Sequence, residues 1–277
     1  MSPENYEQRE ENSMIHDAAR LNIILFLIAV CIPLHAADKT ESPGHIGTEP
    51  LPVKEISFYS ESLQRDMYIN IVLPRGYDQS GMDYPVLYLC HGLTSNYHEF
   101  EHVGVPEYLN CFDMIVVMVD VGNSWYVNWA RSADGQHNNY ADHVTQDIIN
   151  YVDSHYRTID SRKGRAINGI SMGGFGAISL GLSHPELFCS IASHSGALTW
   201  AAGQRELLEN DKDPWVIWEK ALQDTVTRYN NIDIDGYSTI PERTPNGQIF
   251  VKPQDADAVD PFKLVLQVPR DSCRIST

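Results

Sequence analysis

The chain has 277 residues, 43% of them hydrophobic and 21% charged, a composition that excludes wholesale disorder and collagen-like structure. Its length suits one α/β domain better than two small ones. Acidic residues outnumber basic ones 37 to 20, for a net charge of −17, and that excess repels phosphate backbones and anionic lipid, which argues against nucleic acid as a partner.

In chain order, the first feature is an almost wholly apolar run over residues 21–34 (LNIILFLIAVCIPL), followed by His35-Ala36-Ala37. At about 14 residues it is too short to cross a bilayer comfortably but suits the core of a signal peptide. The small residues after it predict cleavage near Ala36 or Ala37, hence a secreted or periplasmic protein with no stable membrane anchor after cleavage. The segment ahead of the run is acidic, with only Arg9 and Arg20 positive, and a start at Met14 would make a tidier signal. Residues 38–52 (DKTESPGHIGTEPLP) are polar and hold three prolines, a linker, so the division is 1–37 signal peptide, 38–52 linker and 53–277 one domain. Export permits disulfides, but the spacing of Cys90, Cys111, Cys189 and Cys273 selects no pairing. Cys90 and Cys189 border apolar runs and read as buried small hydrophobes. No Cys/His spacing resembles a zinc site, so no metal is expected.

Residues 53–58 and 67–73 read as two strands. In the second, Met67, Ile69, Ile71 and Leu73 alternate with Tyr68, Asn70 and Val72, the period of two that a pleated strand requires. Residues 86–90 (VLYLC) and 114–119 (MIVVMV) are continuous apolar runs, as expected of central strands covered on both faces, and a loop with a short helix is expected between them. From 140 to 156 the period changes: Val144, Ile148 and Val152 recur every four residues on an amphipathic helix. A strand over 165–168, a helix over 173–183 stopped by Pro185, and a strand over 189–193 follow. Strands alternating with helices predict an α/β fold, a mostly parallel sheet with helices on both faces. Residues 201–259 read as largely helical and polar, with Trp215 and Trp218 as packing anchors.

Gly169-Ile170-Ser171-Met172-Gly173 fits the pattern G-x-S-x-G between a strand and a helix. A sharp turn there lifts a serine hydroxyl above the sheet edge, and flanking glycines let the turn pack closely against neighbouring backbone. Cys90-His91-Gly92-Leu93 supplies a second piece at the end of the third strand. The amides of Leu93 and Met172 would together face the negative oxygen formed when an ester carbonyl becomes tetrahedral. His91 itself reads as structural, its ring tied into local hydrogen bonds.

With these motifs, YPVLYLCHGLTSNYHEF, NSWYVNW, YVDSHYRT, GRAINGISMGGFGA, HPELF and SHSGAL appear in order. Together they resemble the α/β-hydrolase branch that contains S-formylglutathione hydrolases, tributyrin-type, feruloyl and acetyl-xylan esterases, and mycolyltransferases. The resemblance runs from about Lys54 to Trp200, and Asp260-Pro261-Phe262 matches a later segment. It implies an α/β-hydrolase fold and a serine esterase in which Ser171 is the acyl-accepting nucleophile. Leu93 and Met172 would form the oxyanion hole, Gly169 and Gly173 the elbow, and Asn123 to Tyr126, above all Trp125 and Tyr126, would line the cleft. The implied partner is a small-molecule or carbohydrate-linked ester, with no metal or organic cofactor. Hydrolysis and acyl transfer share the acyl-enzyme and stay open.

A serine needs a base, usually a histidine oriented by a carboxylate, and in this fold the order is Ser, acid, His. After Ser171 the only histidines are His184 and His194. His184 lies at the far end of the expected helix, roughly 20 Å away at 1.5 Å per residue. His194 follows the strand beside the serine, and Asp120 reads as a loop-capping carboxylate. The last residues, RDSCRIST, resemble no strand, so the C-terminal strands with their Asp–His pair are expected to be missing. That leaves a sheet edge open near Ile191, with poor solubility as the consequence. Two explanations follow: an esterase impaired for want of a base, or a non-catalytic relative that binds a ligand in the emptied cleft.

Overall fold

Among the described residues of the computed structural model nine strands follow one another: β1 (Val53–Ser60), β2 (Arg65–Val72), β3 (Val86–Cys90), β4 (Ile115–Val119), β5 (Arg131–Ser132), β6 (Arg165–Ile170), β7 (Ser190–His194), β8 (Gly247–Gln248) and β9 (Arg274–Ser276). The described residues are 49–133, 135–212, 214, 247–269 and 274–276. The expected signal peptide, the linker as far as residue 48, Trp215, Trp218 and Cys273 lie outside them.

β1 and β2 form an antiparallel hairpin, and β2 runs antiparallel to β4. From β4 onward the pairings are parallel, giving the order β1-β2-β4-β3-β6-β7-β9. β5 and β8 pair separately as a short antiparallel ribbon. The central strands β3 and β4 are buried at every position, which is why they read as unbroken apolar runs. Alternation along each strand divides the core in two. Tyr88, Cys90, Val117, Val119, Ile167 and Ile191 face one layer, with Val144, Ile148, Val152, Phe175 and Ile178 from two helices packed on them. Leu87, Leu89, Val116, Met118 and Ala192 face the other, under Phe100, Val105 and Leu109. The chain has an α/β-hydrolase fold, as the resemblance implied, and its alternating elements predict the α/β class.

The expectations that residues 270–277 hold no strand and leave the sheet edge at Ile191 open need correction. Arg274–Ser276 forms a strand that pairs parallel with β7, setting Ile275 beside Ile191, so the edge expected to lie bare is covered and Ile191 is fully buried. Three residues are too few for any periodicity to announce, and pairing with an existing strand supplies what local pattern lacks. The helix expected over 140–156 also differs in detail. It opens as α-helix (Tyr140–Asp142), widens to π-helix (His143–Ile148) and closes as α-helix (Ile149–His155). From the widened turns, Asp147 accepts the Ser60 hydroxyl at 2.6 Å and the Ser62 amide at 2.9 Å, while His143 Nδ1 lies 2.9 Å from Ser60 Oγ. A polar clasp thereby ties the tip of the β1–β2 hairpin to the helix.

Candidate active site

β6 ends at Ile170 and the helix Met172–Ser183 begins two residues later, so Ser171 must reverse the chain alone. It does so at φ 55° and ψ −116°, a backbone region that side chains other than glycine rarely enter and that costs roughly 1–3 kcal/mol. The turn is braced. Ser171 N–H donates to His194 O at 2.9 Å, and Ser171 O accepts from Phe175 N at 3.1 Å and Ala197 N at 3.2 Å. The serine side chain is exposed, and among the described residues its hydroxyl makes no hydrogen bond.

The two glycines of the motif are required by contact. A Cβ on Gly169 would overlap the Gly173 carbonyl, and one on Gly173 would overlap the Cys90 carbonyl and lie 2.6 Å from His91 O. The helix start is thus pressed onto the end of β3, which brings the His91–Thr94 loop beside the serine. A Cβ on Gly92 would lie 3.7 Å from Ser171 Cβ.

That loop is held at almost every backbone group. Tyr126 Oη donates to His91 O at 2.9 Å. Gly92 N–H donates to Glu99 Oε2 at 2.6 Å, and Thr94 N–H donates to Asn123 Oδ1 at 2.8 Å. His91 Nε2 accepts from Val121 N at 3.3 Å, which leaves its Nδ1–H to donate to Gly92 O at 2.7 Å. Ser95 N–H reaches the same Gly92 O at 3.3 Å. Leu93 N–H makes no hydrogen bond among the described residues. Met172 N–H lies in the first turn of its helix, where no carbonyl of that helix can accept it. Burial pushes the Glu99 carboxyl above its ordinary range, against the opposing pull of the Gly92 amide and the His91 ring.

Other expected residues fall out differently. His91 is fully buried with both ring nitrogens on backbone, the structural role its sequence position suggested. Asp120 Oδ1 accepts from Gly122 N at 2.9 Å, a loop-capping contact. His184 caps the far end of the elbow helix, beside Glu186. Strand alternation turns Ser193 toward Gly174 of that helix and His194 to the opposite face, where partial burial lowers the pKa of its ring. Asn123 to Tyr126, expected to line the cleft, are buried. Trp125 is 5% exposed and Tyr126 not at all, and Asn123 and Ser124 are buried too. Trp125 stacks on Trp200 at 3.8 Å and meets Phe175 edge-on, while the Tyr126 ring fills the space a side chain at Gly176 would need. Both adopt positive φ, 63° and 60°, a strained pair that this packing holds in place. Sequence reasoning missed Glu99 and the Tyr126 hydroxyl, since neither spacing nor composition marks which backbone group a distant side chain will reach.

Among the described residues no group of three or more His, Cys, Asp or Glu could hold a metal ion, and no helix is long and apolar enough to cross a membrane. Cys90 is a buried thiol and Cys111 an exposed one. Cys189 is half-buried, with its sulfur against the Arg165 carbonyl, and so is less enclosed than its sequence suggested.

Comparisons with known proteins agree with this arrangement. The chain is 37% identical over 131 residues to Esterase Rv1288 of Mycobacterium tuberculosis (strain ATCC 25618 / H37Rv), a match covering 46% of this chain and 28% of that protein. Esterase MT1326 of strain CDC 1551 / Oshkosh matches to the same extent. Among solved structures, the S-formylglutathione hydrolase of Agrobacterium tumefaciens superposes with a TM-score of 0.56 at 19% identity, over 79% of this chain and 72% of that one. The Staphylococcus aureus S-formylglutathione hydrolase (FrmB) gives 0.54 at 19% identity, over 83% and 78%. At such identities these two attest the fold. The Esterase family, described as "Putative esterase", matches residues 60–254, and the chain belongs to that family.

Proposed function

We propose that the chain is an exported carboxylic-ester hydrolase that works through an acyl-enzyme on Ser171. The observation that carries this reading is the serine hydroxyl held exposed at φ 55° on a braced strand-to-helix turn, with the unbonded Leu93 amide on the adjoining loop. In the proposed cycle Ser171 Oγ attacks the ester carbonyl carbon, and the oxygen that gains charge receives the N–H groups of Leu93 and Met172. The start of a 12-residue helix adds its positive end to the same place. Collapse of the tetrahedral adduct breaks the bond to the alcohol, which leaves with a proton. Water then attacks the acyl-serine, releasing the acid and restoring the hydroxyl; an alcohol in place of water would make the same step an acyl transfer.

Proton removal from Ser171 is the weak point. His91 spends both ring nitrogens on backbone, and strand alternation sets His194 on the face opposite Ser193. The proposal therefore includes slow turnover, since losing the base removes several orders of magnitude while the oxyanion donors retain part of the acceleration. The substrate proposed is a small-molecule or carbohydrate-linked ester; the thioester S-formylglutathione is worth including because a solved structure of like fold is named as its hydrolase.

Release of p-nitrophenol from p-nitrophenyl acetate tests the reading. The expected result is a slow release that Ser171→Ala removes. Release unchanged in Ser171→Ala overturns the assignment, and fast turnover overturns the impairment. Export is tested by N-terminal sequencing of protein recovered outside the cytoplasm: a start at Ala37 or Asp38 supports cleavage, and an intact residue 1 sinks it.

A further inference from the structure

In the His91–Thr94 loop the Leu93 N–H has no hydrogen-bond partner among the described residues, while the peptides around it are held. The His91–Gly92 peptide is held at both ends, its carbonyl by the Tyr126 hydroxyl at 2.9 Å and its N–H by Glu99 Oε2 at 2.6 Å. The next peptide is held at its carbonyl alone, Gly92 O, by the His91 ring at 2.7 Å and Ser95 N at 3.3 Å. A trans peptide is planar, and its N–H points opposite to its C=O. Pinning Gly92 O therefore sets the direction of Leu93 N–H without touching it. Gly92 is wedged between two groups: a Cβ there would lie 3.5 Å from Glu99 Oε1 and 3.7 Å from Ser171 Cβ.

We propose that Glu99 is a positioning residue for acyl transfer, clamping the Gly92 amide so that the neighbouring Leu93 N–H is held toward the reacting oxygen at Ser171. The proposal rests on the reading of Ser171 as the nucleophile. Glu99 opens the short helix Glu99–His102, and its own N–H is tied to Asn96 O at 3.0 Å, so the carboxyl reaches Gly92 from an anchored backbone. The acceptor is what the clamp needs, and the negative charge is not. Burial raises the Glu99 pKa against the opposing pull of the Gly92 amide and the His91 ring, a direction that lessens the charge facing a developing oxyanion. An amide at position 99 keeps the acceptor and loses the charge. An apolar side chain leaves the Gly92 N–H buried without a partner and frees the loop to turn.

Second-order rates of labelling by a fluorophosphonate probe, on the full chain, separate these cases, with cooperative urea melts as the control for folding. Glu99→Met and Glu99→Ala are expected to label roughly 10- to 100-fold more slowly than wild type, as a displaced oxyanion donor predicts. Glu99→Gln is expected within about threefold of wild type, a rescue that a role in packing or net charge alone would not select. A wild-type labelling rate in whichever acceptor-free variant keeps its melt overturns the clamp, as does a Glu99→Gln variant slowed as much as the other two. Labelling that persists in Ser171→Ala, or that is missing from wild type, overturns the Ser171 reading itself.

Discussion

Gly173 meets the Cys90 carbonyl so closely that a Cβ at position 173 would overlap it, so the serine turn and the end of β3 touch backbone to backbone. No side chain mediates this contact, and none can enter it. The distance between the serine and the His91–Thr94 loop is therefore set by two chain segments that are remote in sequence and rigid in the fold.

Gly173→Ala should accordingly separate them. Overpacking a site with no slack costs about 1–3 kcal/mol, and here the neighbour is backbone that cannot change rotamer. We expect a urea midpoint lowered by that amount together with slowed fluorophosphonate labelling. Unchanged stability would mean the helix start can shift at no cost.

Ser171 carries strain that only its hydroxyl justifies. Glycine tolerates φ 55° and ψ −116° without the Cβ clash, though it gains freedom in the unfolded chain. Ser171→Gly should therefore raise stability by about 1 kcal/mol while ending ester hydrolysis and probe labelling. Ser171→Ala should end both without the gain. A Gly variant less stable than the Ala variant would show that the turn is not strained.

The clasp at the hairpin tip predicts a pH dependence. Burial alone would raise the Asp147 pKa, but hydrogen bonds from His143, Ser60 and Ser62 outweigh it and hold the carboxyl at about 2. An unfolded aspartate titrates near ~3.9, so the folded state binds the proton less readily. The stabilisation is thus complete above about pH 4 and fades as pH falls toward 2. Asp147→Asn should be less stable than wild type at pH 7, with the difference shrinking below pH 4. Urea midpoints across that range measure it, and a constant difference would count against the clasp.

At the opposite end of the sheet, Arg165 in β6 is nearly buried and ion-paired with Asp153, which also accepts the Thr158 hydroxyl at 2.6 Å. Removing only the cation leaves a shielded carboxylate uncompensated. Arg165→Met should cost about 3–5 kcal/mol, and adding Asp153→Asn should recover part of it. Additive losses in the double variant would show that the two charges do not depend on each other.

What the sequence by itself determined is whatever one element reports about its own burial. The unbroken apolar runs of β3 and β4 mark strands covered on both faces, the alternation in β2 marks a strand, and Gly169-Ile170-Ser171-Met172-Gly173 marks a tight turn between strand and helix. These are local signals, because periodicity and steric limits act within a few residues. Only the tertiary structure decided that Arg274–Ser276 would pair with β7, that Tyr126 would lie inside and brace His91 O, that Trp125 would stack on Trp200, and that Glu99 would hold the Gly92 amide. Each joins residues that no period relates, and a hydrogen bond or ring contact forms where the folded backbone happens to bring a donor and an acceptor, or two faces, within a few ångströms.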